Sequence, residues 1–243
     1  MSDMALVLIV GGVAVFVGAI VQGAVGFGLG LVAAPVLTLL KPEIMPGAVQ
    51  VVNVALPLFT LAVEWRRVDW KGLGFALIGR LPGSAIGALI VVYVSTQTLG
   101  ILVGSMVLVA VALSARAISV PRNAGTLMGA GFASAVTGTA TGIGGPPMGL
   151  VYQNAKGPQI RATLAMYFFL SAGQSLVLLA YIGHLPSAAL TTGGLLIVPM
   201  VVGFLVSGPL RRYLDGGKVR IAILVVASAS ALVLIGHSVV QAL

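Results

Sequence analysis

The chain has 243 residues, 59% apolar and only 7% charged, with a mean hydropathy of +1.14. Soluble domains carry about a quarter of their residues as charges, so the composition excludes one and predicts a single integral membrane unit. The formal charge of +8 is confined mostly to short segments between apolar runs. No basic, aromatic-interleaved face exists, which argues against a nucleic-acid partner and leaves the lipid bilayer as the surroundings. Cysteine is absent, and with it disulfides, thiolate metal sites and cysteine nucleophiles.

The chain starts "MSDMALVLIV", with an acid and no basic stretch before the apolar run. It reads as a first membrane segment, not a cleaved signal peptide. Residues 4–40 are too long for one crossing and are broken by "QGAVGFGLGL". Simple spans are predicted at 47–63, 72–93 and 98–115. Residues 124–154 are again broken, by "TGTATGIGGPPMGLVY". Further simple spans follow at 162–182, 187–207 and 219–237. Each simple run has roughly the 20 apolar residues that a crossing needs.

The bases orient these runs. Arg66, Arg67 and Lys71 cluster in one loop, and further bases fall at 116–122, 156–161 and 211–220. The positive-inside rule places these loops in the cytoplasm. Segment 124–154 then has basic loops on both flanks and must enter and leave on the cytoplasmic side. Segment 4–40 must enter and leave on the outer side. At about 46 Å of helix, 124–154 is short for two crossings, so a re-entrant hairpin is expected. The predicted architecture is an all-α integral membrane protein of two inverted repeats, 1–116 and 117–243. Each repeat is a broken or re-entrant hairpin followed by three transmembrane helices. Both termini fall outside the cytoplasm.

A shift of 116 residues places Ala14, Phe16, Ala19, Ala24, Gly26, Gly28, Pro42 and Ile44 on Ala130, Phe132, Ala135, Ala140, Gly142, Gly144, Pro158 and Ile160. Both hairpins break at Gly-x-Gly, and both are followed by x-Pro-x-Ile at the start of the next helix. Backbone that leaves the helix at membrane depth has to be buried in protein or line a wet cavity. At the start of a half-helix its N–H groups carry partial positive charge. Two such ends meeting make an anion site without a formal charge. Close helix packing is the competing explanation, since Gly26 and Gly30 form a small-xxx-small pair. It accounts poorly for Gly-Gly-Pro-Pro.

The candidate substrate-binding residues are therefore Gly26, Phe27 and Gly28 in the first break, and Gly142, Gly144 and Gly145 in the second. Thr139, Thr141, Asn53, Gln174 and Tyr152 are neutral polar residues placed to shape a pocket. Gln22, Gln50, Ser171, Gln153, Asn154 and Tyr167 are further neutral groups at depth, for which interhelical hydrogen bonding is the simpler role. Arg80 is the one base well inside a simple span. Its position allows either a functional charge or a side chain that snorkels to the interface. Trp65, Trp70 and Tyr213 read as interfacial anchors.

The five carboxylates, Asp3, Glu43, Glu64, Asp69 and Asp215, all fall at a terminus or in loops. A cation pump or proton relay needs one at depth, so cation transport is disfavoured. His184 and His237 stand apart from other ligand types, so no metal site is expected. No nucleophile motif or His/Asp cluster suggests an enzyme, and no cofactor is implied.

The paired segments "QGAVGFGLGLVAAPVL" and "TGIGGPPMGLVY", one per half, resemble those of the TauE/SafE family, the sulfite exporter or 4-toluene sulfonate uptake permeases. The resemblance covers nearly the whole chain and implies a bacterial-type inner-membrane secondary transporter with two repeats. It also implies a small anionic substrate: a sulfonate, sulfite, or a related oxyanion or carboxylate. The expected function is alternating-access transport of such an anion. An anion channel with two re-entrant loops, or a membrane assembly subunit with no flux of its own, are the alternatives. A homo-oligomer is compatible with the sequence.

Overall fold

The computed structural model describes residues 3–115, 120–214 and 218–242. Arg116 and Asp215 of the loops discussed above lie outside these residues, as does the boundary expected between the halves. The side chains of Arg211, Arg212, Tyr213, Lys218 and Arg220 also lie outside what is described.

The fold is all-helical, with no strand among the described residues. Helix α1 (Asp3–Leu6) runs through a π turn at Val7–Gly11 into α2 (Gly12–Val25). The first hairpin returns as α3 (Leu29–Leu40). Then come α4 (Gly47–Glu64), α5 (Trp70–Tyr93) and α6 (Thr96–Ala115). The second hairpin is α7 (Ala124–Thr141) and α8 (Gly145–Tyr152). It is followed by α9 (Gly157–Tyr181), α10 (Ser187–Leu214) and α11 (Lys218–Ala242). Among the described residues, five helical stretches are long and apolar enough to cross a membrane. They are Met4–Val25, Gly47–Arg67, Trp70–Tyr93, Gly157–Tyr181 and Ser187–Pro209.

Helix ends differ from expectation where local chemistry extends them. Asp69 caps α5 by accepting a hydrogen bond from Gly72 N–H at 3.0 Å, so the helix starts before residue 72. Helix α9 starts at Gly157 and not at 162, because Pro158 sits in the first turn, where its missing N–H has no partner to lose. Helix α10 runs past residue 207, through Pro209. Trp65 and Trp70 are exposed at the ends of α4 and α5, as interfacial anchors would be.

Two close seams organise the helices. On α5, Gly79, Gly83 and Gly87 recur every fourth residue and face α7. A Cβ at Gly79 would strike the carbonyl of Met128. One at Gly83 would strike the Phe132 carbonyl and lie 2.9 Å from the Ala135 Cβ. One at Gly87 would lie 2.7 Å from the Val136 carbonyl. From the other side, a Cβ at Gly131 would strike the Ala76 carbonyl. Such small residues let two backbones approach where lipid supplies no hydrophobic drive for helix association.

The second seam joins α2 to α10. A Cβ at Gly203 would strike the Phe16 carbonyl and lie 3.1 Å from the Ala19 Cβ. Gly12 lies against Pro199, and Gly23 against Ser207. In both seams contacts advance together along the two helices, so each pair is parallel. The residues met by Gly83 and Gly203 are the pairs Phe132/Phe16 and Ala135/Ala19, which the shift of 116 superposes.

Helix α4 lies antiparallel beside α9, tied where α4 ends and α9 begins by Arg161, whose Nε and Nη2 both donate to the Glu64 carboxylate. One apolar core lies among α2, α3, α4, α6, α10 and α11, and a second among α5, α7, α8, α9 and the end of α4. Phe27, in the first break, packs against both.

Candidate functional site

Both hairpins stop at a glycine in left-handed backbone. Gly26 (φ 101°) ends α2, and its N–H donates to the Gln22 carbonyl. Gly142 (φ 79°) ends α7, and its N–H donates to the Gly138 carbonyl. Gly28 (φ 137°) then opens α3. A side chain at any of these would be strained.

The two breaks meet. A Cβ at Gly30 would lie 2.6 Å from the Gly142 carbonyl oxygen and 3.4 Å from Ile143 Cα. The Phe27 side chain covers Gly145 and Gly149 of α8, where a Cβ would lie 3.0 Å and 2.6 Å from its nearest atoms. Between the breaks is a cavity of about 30 Å³, enough for one or two water molecules on that measure. Gln22, Phe27, Gly28, Gly30, Leu31, Asn53, Gly142, Ile143, Gly144, Gly145 and Phe168 line it. Six of the expected site residues, Phe27, Gly28, Asn53, Gly142, Gly144 and Gly145, are thus brought to one place.

The neutral polar residues repair the broken backbone. Leu29 N–H donates to Gln22 Oε1 at 3.1 Å. Asn53 Nδ2 donates to the Gly142 carbonyl at 3.2 Å, and Gln50 Nε2 to the Gly138 carbonyl at 2.6 Å. Ser134 Oγ donates to the Gly144 carbonyl, and Ile143 N–H donates to Thr141 Oγ1 at 3.3 Å. These bonds satisfy groups that lipid could not. At α8, Pro146 and Pro147 supply no N–H, so Gly145 and Met148 are the only first-turn amides. Asn53→Leu should lower stability by about 1–3 kcal/mol, since it leaves the Gly142 carbonyl without its side-chain donor. Thermal unfolding in detergent would measure this, and an unchanged midpoint would contradict it.

The remaining candidates lie elsewhere. Gly26 packs against the backbone of Arg161, with a Cβ there 3.2 Å from its Cα. Tyr152 sits at the far end of α8 from the break. Its hydroxyl donates to Asp69 Oδ2 at 3.1 Å, and the Arg122 guanidinium lies over its ring at 5.5 Å. Asp69 also faces Arg122 at 4.0 Å, and its backbone N–H donates to Thr163 Oγ1 at 2.9 Å. Arg80, Gln174 and Thr139 form a third group. Arg80 is 0% exposed and does not snorkel. Its Nε donates to Gln174 Oε1 at 2.8 Å, and its Nη2 to the Ser171 carbonyl and to Ser175 Oγ. Thr139 Oγ1 joins Ser175 Oγ at 2.9 Å, and Gln174 Nε2 donates to Ser84 Oγ at 3.0 Å.

Sequence reasoning missed Ser134, Ser175, Phe168 and the α5 glycine seam. The seam is written in the sequence as Gly-x-x-x-Gly-x-x-x-Gly from Gly79 to Gly87, with Arg80 inside it. No group of three His, Asp or Glu residues suited to a metal occurs among the described residues.

The chain is similar to known proteins over much of its length. It is 27% identical over 194 residues to a "Probable sulfite/organosulfonate exporter TauE" of Cupriavidus necator, covering 74% of this chain and 75% of that one. No solved structure matches it. A family model described as "Sulfite exporter TauE/SafE" matches residues 10–234. The chain therefore belongs to the TauE/SafE family, whose members are membrane transporters and not enzymes.

Proposed function

We infer that the protein is a secondary transporter of a small anion, a sulfonate, sulfite or related oxyanion, with its binding site at the meeting of the two glycine breaks. The observation that carries this is the cavity lined from both breaks at once, in a member of an exporter family. Each hairpin has one leg too short to cross alone. The eight residues of α8 reach roughly 12 Å against a hydrocarbon core of about 30 Å. Irregular backbone of this kind is tolerated where it is buried or lines a pathway. The matched seams, Gly83 on Phe132 and Gly203 on Phe16, support two halves of one design inserted in opposite senses. Such an arrangement lets one half rock against the other around a fixed site, which is alternating access.

A neutral site of backbone and side-chain amides suits a weakly basic oxyanion, binding it without holding it. The cavity as it stands admits a compact group. A sulfonate with an organic tail requires the breaks to separate, as they would in a transport cycle.

Reconstitution into liposomes tests the proposal. Labelled sulfite or methanesulfonate should enter saturably and faster when the same unlabelled anion is loaded inside. Flux that neither saturates nor responds to the internal anion would favour a channel. No flux and no binding would favour an assembly subunit.

A further inference from the structure

We propose that Arg80 forms a second anion-binding station, apart from the cavity between the breaks, which takes one small singly charged anion on its Nη1. This rests on the anion-transport proposal above. Among the described residues, Arg80 Nη1 is the buried side-chain nitrogen or oxygen found without a hydrogen-bond partner. The side chain is fully buried, and its partners Gln174, Ser171 and Ser175 are all neutral. The Tyr167 ring lies 5.9 Å from Cζ. None of the chain's five carboxylates falls on α7 or α9 or on α5 itself. A guanidinium stays protonated, and a buried charge without a counter-charge is strongly unfavourable. The missing partner is therefore an anion, and Nη1 is the donor left to hold it.

The packing position does not itself call for a charge. The two seams place Gly83 and Gly203 equivalently, so Arg80 corresponds to Met200, three residues before Gly203. Met200 is equally buried. The shift of 116 places Ser171, Gln174 and Ser175 on Ala55, Leu58 and Phe59. In that half the contact between the two helices is apolar, with Phe59 and Phe204 ring centroids 5.7 Å apart. One half fills the place with hydrocarbon. The other builds a polar cluster around a cation and leaves one of its nitrogens open. The cluster also reaches the second break. Arg80 Nη2 bonds Ser175, Ser175 bonds Thr139, and Thr139 lies one turn before Gly142 on α7. An anion at Arg80 would thus be felt at the break.

The test is anion-dependent thermal stabilisation of the full chain in detergent, titrating sodium chloride or sodium methanesulfonate into a gluconate background. A ligand that binds the folded state raises its melting temperature. Arg80→Gln should weaken the effective anion at least about 30-fold, the scale of losing one partner of a buried charge pair. Arg80→Lys should recover part of that affinity, keeping charge without the guanidinium fork. Asn53→Leu, in the break cavity, should weaken the anion far less than Arg80→Gln does. A response to chloride alone would identify a resident co-ion, and a response to methanesulfonate the transported species. Either supports the station. A lower melting temperature in Arg80→Gln with unchanged anion affinity would mean a purely structural arginine and overturn it. Should Arg80→Gln not be monodisperse, wild-type affinity in Arg80→Lys overturns it equally. A wild-type chain that transports but shows no anion-dependent stabilisation overturns the station and leaves the transport proposal standing. A chain that neither transports nor binds overturns both.

Discussion

Gly131→Leu is expected to remove most of the folded protein, with a loss above about 3 kcal/mol. The residue faces the backbone of α5, and a Cβ there would strike the carbonyl of Ala76. A side-chain neighbour could turn aside, but a carbonyl in the middle of a helix cannot. The helices would have to separate, and Gly79, Gly83 and Gly87 would lose their contacts together. Gly129→Ala, two residues away, is the control. Nothing lies within 4 Å of its Cβ position, so alanine should be neutral or stabilise by up to about 1 kcal/mol through helix propensity. Melting temperatures in one detergent compare the two. Equal effects would show that the seam is not the determinant of stability that its geometry indicates.

Gly30→Val should abolish transport, lowering the initial rate in liposomes at least about 100-fold, while most of the protein remains folded. Its Cβ would lie 2.6 Å from the Gly142 carbonyl oxygen. That contact joins two breaks and not two whole helices, so local displacement relieves it. Displacement would also separate the cavity walls and carry Gly142 away from Asn53. A Gly30→Val protein that is monodisperse and transports at the wild-type rate would remove the meeting of the breaks from the mechanism. Gly30→Ala should be intermediate, its single methyl meeting the same oxygen.

Much of this was legible in the sequence because lipid enforces simple rules. Runs near 20 apolar residues, loops holding the bases and glycine-proline interruptions each have one cheap physical explanation. The breaks fell where Gly26, Gly28 and Gly142 indicated, since positive-φ backbone suits glycine and little else. The polar residues were harder. Asn53, Gln50, Thr141 and Gln22 are hydrogen-bonding groups at depth whether they serve a ligand or a neighbouring backbone. Only placement against the Gly142, Gly138, Ile143 and Leu29 backbone assigns them to the repair of the breaks. Tyr152 follows the second break in sequence, but eight residues of helix carry its hydroxyl to Asp69.

Arg80 shows the division most clearly. Its rarity within an apolar run marked it from the sequence, since a charge in hydrocarbon needs a reason. Snorkelling and burial were equally consistent with its distance from the helix start, because a long side chain can reach either way. Packing against α9 decided between them, giving Arg80 three neutral acceptors and leaving one nitrogen open. The sequence by itself determined a membrane protein of helices with two broken hairpins, since composition and glycine act locally. Only the tertiary structure decided that the breaks face each other, and that the arginine stands apart from them. Such contacts depend on how parallel helices slide together on their glycines, and no local pattern records that.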